Sequence, residues 1–346
     1  MKLKTIPTTY RIFPILLLLM GMMGSCGYVE MFSKQVVEND TTLIYVRTGQ
    51  TYPEFMDSLG TTGLINPYAN FRRAAKTYKL NESLKPGRYR LKTGMTAVDV
   101  VKHLRAGKRE PVKFSFHYLR TTQNMAGKMA SKLEADSAEL VRLLNDESFT
   151  KEKLGLTPVL APVIFIPNTY EIHWNTSAEE FCLRMKKEYD SFWTEERKAK
   201  AQKLGLSQAE VSILASLVQA EQSRVKDEWP IIAGLYLNRL KKGMLLQSDP
   251  TVIFAVGDFS IKRVLFRHLE IDSPYNTYKF PGLPPGPINM PEPGVIDAVL
   301  DAQKHNYIFM CAKADLSGRH SFAVTLAEHT RNANAYQQAL NRAGIR

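Results

Sequence analysis

The chain has 346 residues, 44% hydrophobic and 23% charged, a globular composition that argues against a disordered or fibrous protein. Lysine and arginine outnumber aspartate and glutamate by 46 to 34, leaving a net charge of +12 spread along the chain. Diffuse positive charge suits an anionic membrane or wall polymer, and the lack of any zinc-finger, RNP or helix-turn-helix signature weighs against nucleic acid as a partner.

Lys2, Lys4 and Arg11 precede an uncharged run from Ile12 to Val29. Residues 1–33 therefore read as a single-pass anchor in the inner (cytoplasmic) membrane, with the rest of the chain outside the cytoplasm. The competing reading is a lipoprotein signal, because Met23-Gly-Ser-Cys26 resembles a lipidation site with Cys26 as the modified residue. The apolar run continues past Cys26, which favours the uncut anchor. Cys182 and Cys311 are isolated, so no disulfide framework is expected.

Residues 40–110 read as a small α/β module. Thr42–Arg47 alternates like a strand, 52–59 and 70–78 carry helical patterns, and Leu84–Leu91 combines a Pro-Gly turn with renewed alternation. Thr96 then caps a helix that ends before Gly107. A strand–helix–helix–strand unit of this size fits a wall-binding module, and equally a spacer between membrane and active site. Residues 111–205 read as a connecting region, and 206–346 as a larger mixed α+β catalytic part. The whole chain falls in the α+β class.

Ser207-Gln-Ala-Glu210 is a capping box that opens a helix with apolar residues at Val211, Leu214, Ala215 and Val218. At about 100° per residue, Glu221 projects within about 20° of Leu214, on the apolar face, while Gln219 points to the opposite side. A carboxyl among aliphatic side chains tends to keep its proton, as a general acid requires. The alternative is a frayed terminal glutamate that reaches water or pairs with Arg224.

A second helix starts near Pro230 and stops at Gly243, with Asn238 and Arg239 close to its end. In Leu245–Thr251, Asp249 has a local explanation as the cap of a helix led by Pro250, whereas Gln247 and Ser248 have none. Residues 272–294 form a proline-punctuated loop whose tyrosines and Asn276 suit stacking on and hydrogen bonding to sugars; a rigid structural arm is the other reading. Segments 307–312 and 321–324 read as a hairpin, with His320 where its second strand begins. No metal-ligand spacing occurs among the seven histidines, and no P-loop, dinucleotide or Gly-x-Ser-x-Gly motif is present, so neither metal nor cofactor is expected.

Taken together, Leu214–Glu221, Asn238-Arg-Leu240, Leu246-Gln-Ser-Asp-Pro-Thr-Val252, Ser273-Pro-Tyr-Asn-Thr-Tyr278, Gly282-Leu-Pro-Pro-Gly-Pro-Ile288 and Gly318-Arg-His-Ser-Phe322 resemble, in order and spacing, the endolytic murein transglycosylases of the MltG (YceG-like) family. The resemblance runs from about Thr42 to the C-terminus. It implies a membrane-anchored enzyme with a LysM-like module. The implied reaction cleaves the MurNAc–GlcNAc bond of peptidoglycan glycan strands, leaves 1,6-anhydroMurNAc ends and so limits strand length.

By the same resemblance Glu221 is the catalytic residue, and partners include penicillin-binding proteins and other wall-synthesis proteins. Substrate contacts are expected from Gln247, Asp249, Tyr275, Asn276 and Tyr278, and also from Tyr170 and His320. Three departures stand out: Gln219 replaces a second glutamate, Asn168 replaces an aspartate in Phe165–Tyr170, and a Glu-Gly pair is missing near Tyr118-Leu-Arg120. Competing expectations are a water-using muramidase, with Asp249 or Glu171 as second carboxylate, and a non-catalytic wall-binding scaffold.

Overall fold

The computed structural model describes residues 28–345. Most of the expected anchor, including Cys26 and the bulk of the apolar run, lies outside the described residues; among those described, no helix is long and apolar enough to cross a membrane. The described chain is mixed α+β, with three separate two-stranded sheets rather than one continuous sheet. It divides into two compact units. One gathers the described residues up to Lys113 with Lys132–Glu134 and Glu171–Thr176, and the other holds the remainder.

In the N-terminal unit, strand β1 (Leu43–Val46) pairs antiparallel with β2 (Gly87–Arg90), with Leu43 opposite Arg90 and Val46 opposite Gly87. Between them lie helices α1 (Tyr52–Thr62) and α2 (Tyr68–Thr77), and α3 (Ala97–Arg105) follows. Alternation along β1 sends Ile44 and Val46 into a core shared with Phe55, Leu59, Phe71, Tyr89, Val101 and Leu104. Thr51 with Glu54 and Thr96 with Asp99 form capping boxes that fix where α1 and α3 begin.

The connecting stretch carries more structure than its sequence pattern announced. It contains β3 (Pro111–Ser115), α4 (Thr122–Ala130), α5 (Ser137–Asn145), β4 (Thr169–His173), α6 (Ala178–Phe192) and α7 (Glu195–Leu204).

The larger unit is built around α8 (Gln208–Glu221), which packs against α9 (Trp229–Lys241), α10 (Asp249–Val256) and α11 (Pro293–Leu300). The capping box of Ser207 and Glu210 starts α8 as its sequence requires. The single apolar face expected of α8 is wrong, however, because every residue from Val211 to Gln219 is buried. Ser212 and Ser216 donate to carbonyls of the preceding turn, and Ser216 and Gln219 also bond groups outside the helix. Ser216 Oγ accepts from Ile288 N and its carbonyl from Asn289 Nδ2, while Gln219 Oε1 accepts from Glu292 N. Gln219 thus serves as an anchor for the chain leading into α11.

Strands β5 (Phe309–Ala312) and β6 (His320–Ala323) form the antiparallel hairpin, with Ala312 opposite His320. The last helix, α12 (Leu326–Arg342), covers this hairpin. Cys182 and Cys311 are free thiols, buried and half-buried respectively.

Candidate active site

Glu221 is the last residue of α8, because Gln222 turns to an extended conformation (φ −133°, ψ 94°). Its Oε1 accepts hydrogen bonds from the Tyr236 hydroxyl at 2.7 Å and the Ser248 hydroxyl at 2.5 Å. No donor among the described residues reaches Oε2, which leaves that oxygen open to carry the proton when the carboxyl is neutral. Burial is the main force raising the Glu221 pKa; the negative charge of Asp249 adds to it, and the two hydroxyl donors oppose it. The C-terminal end of a helix dipole disfavours an anion at this position as well.

Glu221 opens into a cleft of about 290 Å³ whose polar lining comprises Tyr236, Arg239, Gln247, Asp249, Tyr278 and His320. Tyr236 is buried on α9, and its hydroxyl pKa is pushed well up by burial and by the neighbouring Glu221. One turn further, Arg239 braces the wall. Its guanidinium donates to the carbonyls of Leu245, Leu246 and Ile308 and to Gln247 Oε1. Gly234 lets α9 approach closely here, because a Cβ at that position would meet Gln303 O at 2.3 Å.

The segment 246–249 crosses the cleft in a shape that local propensity does not favour. Gln247 has a positive φ of 54°, a left-handed conformation that costs a non-glycine residue about 1 kcal/mol or more. Gln247 N donates to Thr277 O and Ser248 N to Thr277 Oγ1, so the segment is clamped onto the proline-rich loop. The strained turn aims Ser248 at Glu221. Asp249 follows at the first position of α10, and its carboxylate accepts from the Tyr278 hydroxyl at 2.6 Å. Burial, followed by this bond, holds the Tyr278 hydroxyl above its ordinary range.

Opposite stands the β5–β6 hairpin, which contributes Met310, Cys311, Ala312 and His320. Behind His320 lies Glu228, 3% exposed, whose Oε2 contacts His320 Nδ1 at 2.8 Å and whose Oε1 accepts from His320 N at 2.9 Å. Together the cleft offers a carboxyl with a raised pKa, an exposed carboxylate and an imidazole around one space. That set is suited to acid–base cleavage of an acetal.

The sequence profile of the YceG-like family matches residues 44–335 of this chain. The chain belongs to the YceG-like family. Over 326 residues it is 30% identical to an endolytic murein transglycosylase of Bacillus subtilis (strain 168), covering 88% of each chain. It is 26% identical over 358 residues to an endolytic murein transglycosylase of Streptococcus pneumoniae (strain R6), covering 92% of this chain and 63% of that protein's length. The 2.6 Å crystal structure of a YceG-like protein from Listeria monocytogenes superposes with a TM-score of 0.57 at 26% identity, covering 84% of this chain and 98% of that one.

Five of the eight residues singled out from sequence meet in one cleft: Glu221, Gln247, Asp249, Tyr278 and His320. The other three do not line it. Asn276 is fully buried; its amide nitrogen donates to Leu269 O and Ile271 O, and its oxygen accepts from Tyr278 N, so every polar atom shapes the loop. Tyr275 packs on Phe254 and underlies Gly286, where a Cβ would lie 2.8 Å from the tyrosine hydroxyl. Tyr170 is 5% exposed, donates to Ile166 O and stacks on Phe116. These three pack against or bond other parts of the fold rather than this cleft.

Two local expectations also change. Asp249 does not cap α10; Ser248 holds the N-cap position without a side-chain cap bond, and Asp249 holds Tyr278 instead. Glu221 does not fray toward Arg224, because Tyr236 and Ser248 hold it. Sequence reasoning missed Tyr236 and Arg239 as cleft residues, Ser248 as the buried partner of Glu221, and Glu228 entirely. The signal was present for Ser248, a polar residue with no local partner, but Glu228 looked like one more acidic residue ahead of a helix.

Proposed function

We propose that this chain is a lytic transglycosylase that cuts the MurNAc–GlcNAc bond within peptidoglycan glycan strands and leaves 1,6-anhydroMurNAc ends. The observation that carries the proposal is a carboxyl group whose pKa is raised by burial, lining a cleft in a chain resembling proteins named endolytic murein transglycosylases. Glu221 donates its proton to the glycosidic oxygen as the bond to the anomeric carbon breaks. The carboxylate that remains takes the proton of the MurNAc C6 hydroxyl, whose oxygen attacks the anomeric carbon. One residue thus acts first as acid and then as base, and it ends the cycle protonated.

The two hydroxyls on Oε1 stabilise Glu221 during the interval in which it is charged. Asp249, oriented by Tyr278, supplies negative charge for the oxocarbenium-like transition state. A water-using muramidase draws on the same Asp249 as a second carboxylate; Glu171 is not among the cleft residues. Mass analysis of glycan digested by the full chain separates the two. Transglycosylation gives products lighter by one water than hydrolysis does, and products carrying the added water would replace this proposal by the muramidase.

Residues 1–33 are proposed to tether the enzyme to the inner membrane, and the N-terminal unit to act as a LysM-like wall-binding module. Such a position places the cleft beside newly made strands and the penicillin-binding proteins that make them.

A further inference from the structure

Glu228 is one of the most deeply buried charged residues described, and its carboxylate is fully engaged. Oε1 accepts from His320 N at 2.9 Å and Oε2 from Gln222 Nε2 at 2.9 Å. The orientation of the Gln222 amide is not free. Its Oε1 accepts from Arg224 N and Val225 N, so Nε2 must be the atom that faces Glu228 and Gly318 O. Both Glu228 oxygens therefore already serve as acceptors, and each has a nitrogen donor fixed in place.

His320 Nδ1 stands 2.8 Å from that same Oε2. A lone pair on Nδ1 would face carboxylate lone pairs, which is repulsive; an Nδ1–H makes a charge-assisted hydrogen bond. The ring consequently carries a hydrogen on Nδ1 in both its neutral and its charged form. Its exchangeable proton then sits on Nε2, the nitrogen not engaged by Glu228, on a ring that lines the cleft with Glu221. Among the described residues nothing hydrogen-bonds Nε2. The groups around the ring are Glu228, with Arg319 4.0 Å from Glu228 and paired to Asp227 at 2.9 Å, on one side. On the other are Glu221, Asp249, Tyr236, Tyr278 and Arg239, its companions in the cleft lining.

We propose that Glu228 is a positioning residue that fixes His320 as its Nδ1–H tautomer and so presents Nε2 in the cleft beside Glu221 as a hydrogen-bonding atom for the bound saccharide. The inference rests on the reading of this cleft as the glycan-cleaving site. Glu228 touches no substrate itself; it acts through His320. Its buried carboxylate and the Gln222 amide together do for this imidazole what a carboxylate does behind many functional histidines: they set which nitrogen exchanges its proton.

The test has two arms, both on the full-length chain in detergent. In the first, selectively ¹⁵N-labelled histidine is observed in the wild type above the pH at which His320 is charged, with the signal assigned by its loss in His320→Gln. The expected pattern is a protonated Nδ1 and an unprotonated Nε2; the opposite tautomer overturns the proposal without any change to the Glu228 site.

In the second arm, glycan cleavage is measured for Glu228→Gln, His320→Gln and the double variant, each checked for retained thermal stability. Each single change is expected to lower kcat/KM on the order of 10- to 100-fold, the worth of one charge-assisted hydrogen bond. The double variant is expected to be no slower than the worse single one, because the two residues act as one unit. Additive losses would show Glu228 acting independently of His320 and overturn the proposal. If the wild type fails to cleave glycan at all, the activity assignment falls instead, while the ¹⁵N spectrum still decides the tautomer.

Discussion

Glu221 is held in a state that bulk water would not favour, and this has a consequence for stability. Folding raises its pKa above the ordinary 4.5, so the native protein binds this proton more tightly than the unfolded chain does. The resulting stabilisation is fully present below pH 4.5 and is lost as pH rises through the raised native value. Glu221→Gln has no such proton to lose. Its thermal midpoint relative to wild type should therefore increase with pH across this window. A difference that stays flat with pH would mean that the carboxyl is not perturbed.

Helical spacing turned Glu221 toward the protein interior, but not onto the aliphatic face expected: the hydroxyls of Tyr236 and Ser248 hold it, and polar residues line the cleft around it. Spacing was not enough for the residues that tune it. Ser248 and Tyr236 are 27 and 15 positions away in sequence, and Glu228 is 92 positions from His320. Such partners meet only after the chain has folded back. Asp249 and Asn276 show the converse: residue type suggested a cap and a sugar contact, whereas Asp249 holds Tyr278 29 positions away and Asn276 bonds backbone groups within seven residues of its own loop.

At the scale of elements, α8 is both the hydrophobic axis of the larger unit and the carrier of the acid. Capping signals made its start legible, as they did for α3, because a box of two reciprocal bonds is completed within four residues. The faces it buries were not legible, since Ser216 and Gln219 look solvent-facing until the backbone of 288–292 arrives to bond them. The approach of α9 to the chain at 303–305 is equally tight. Gly234→Ala would drive a methyl group into Gln303 O, and backbone yields less readily than a side chain. We expect a loss of about 1–3 kcal/mol in chemical denaturation, with the Arg239-braced wall loosened as a result. An unchanged denaturation midpoint would contradict the close packing described here.

For the whole molecule, composition and pattern gave the α+β class and the strand–helix–helix–strand order of the first unit. Pairing was not legible, because three small sheets contain too few alternating residues to announce their partners. The uncharged run from Ile12 to Val29 carries a separate expectation at this scale. Full-length protein should sediment with membranes and be extracted by detergent, and a chain beginning after residue 33 should stay in the soluble fraction. Soluble full-length protein would exclude both the anchor and the lipid-modified alternative.

The central claim is that the shielded proton of Glu221 breaks the glycosidic bond, and the most direct measurement is the digestion rate of uncrosslinked glycan by wild type and Glu221→Gln. The account predicts a fall on the order of 10²–10⁴-fold in the variant, with folding and glycan affinity intact. A Glu221→Gln protein that shortens glycan strands at close to the wild-type rate would contradict it.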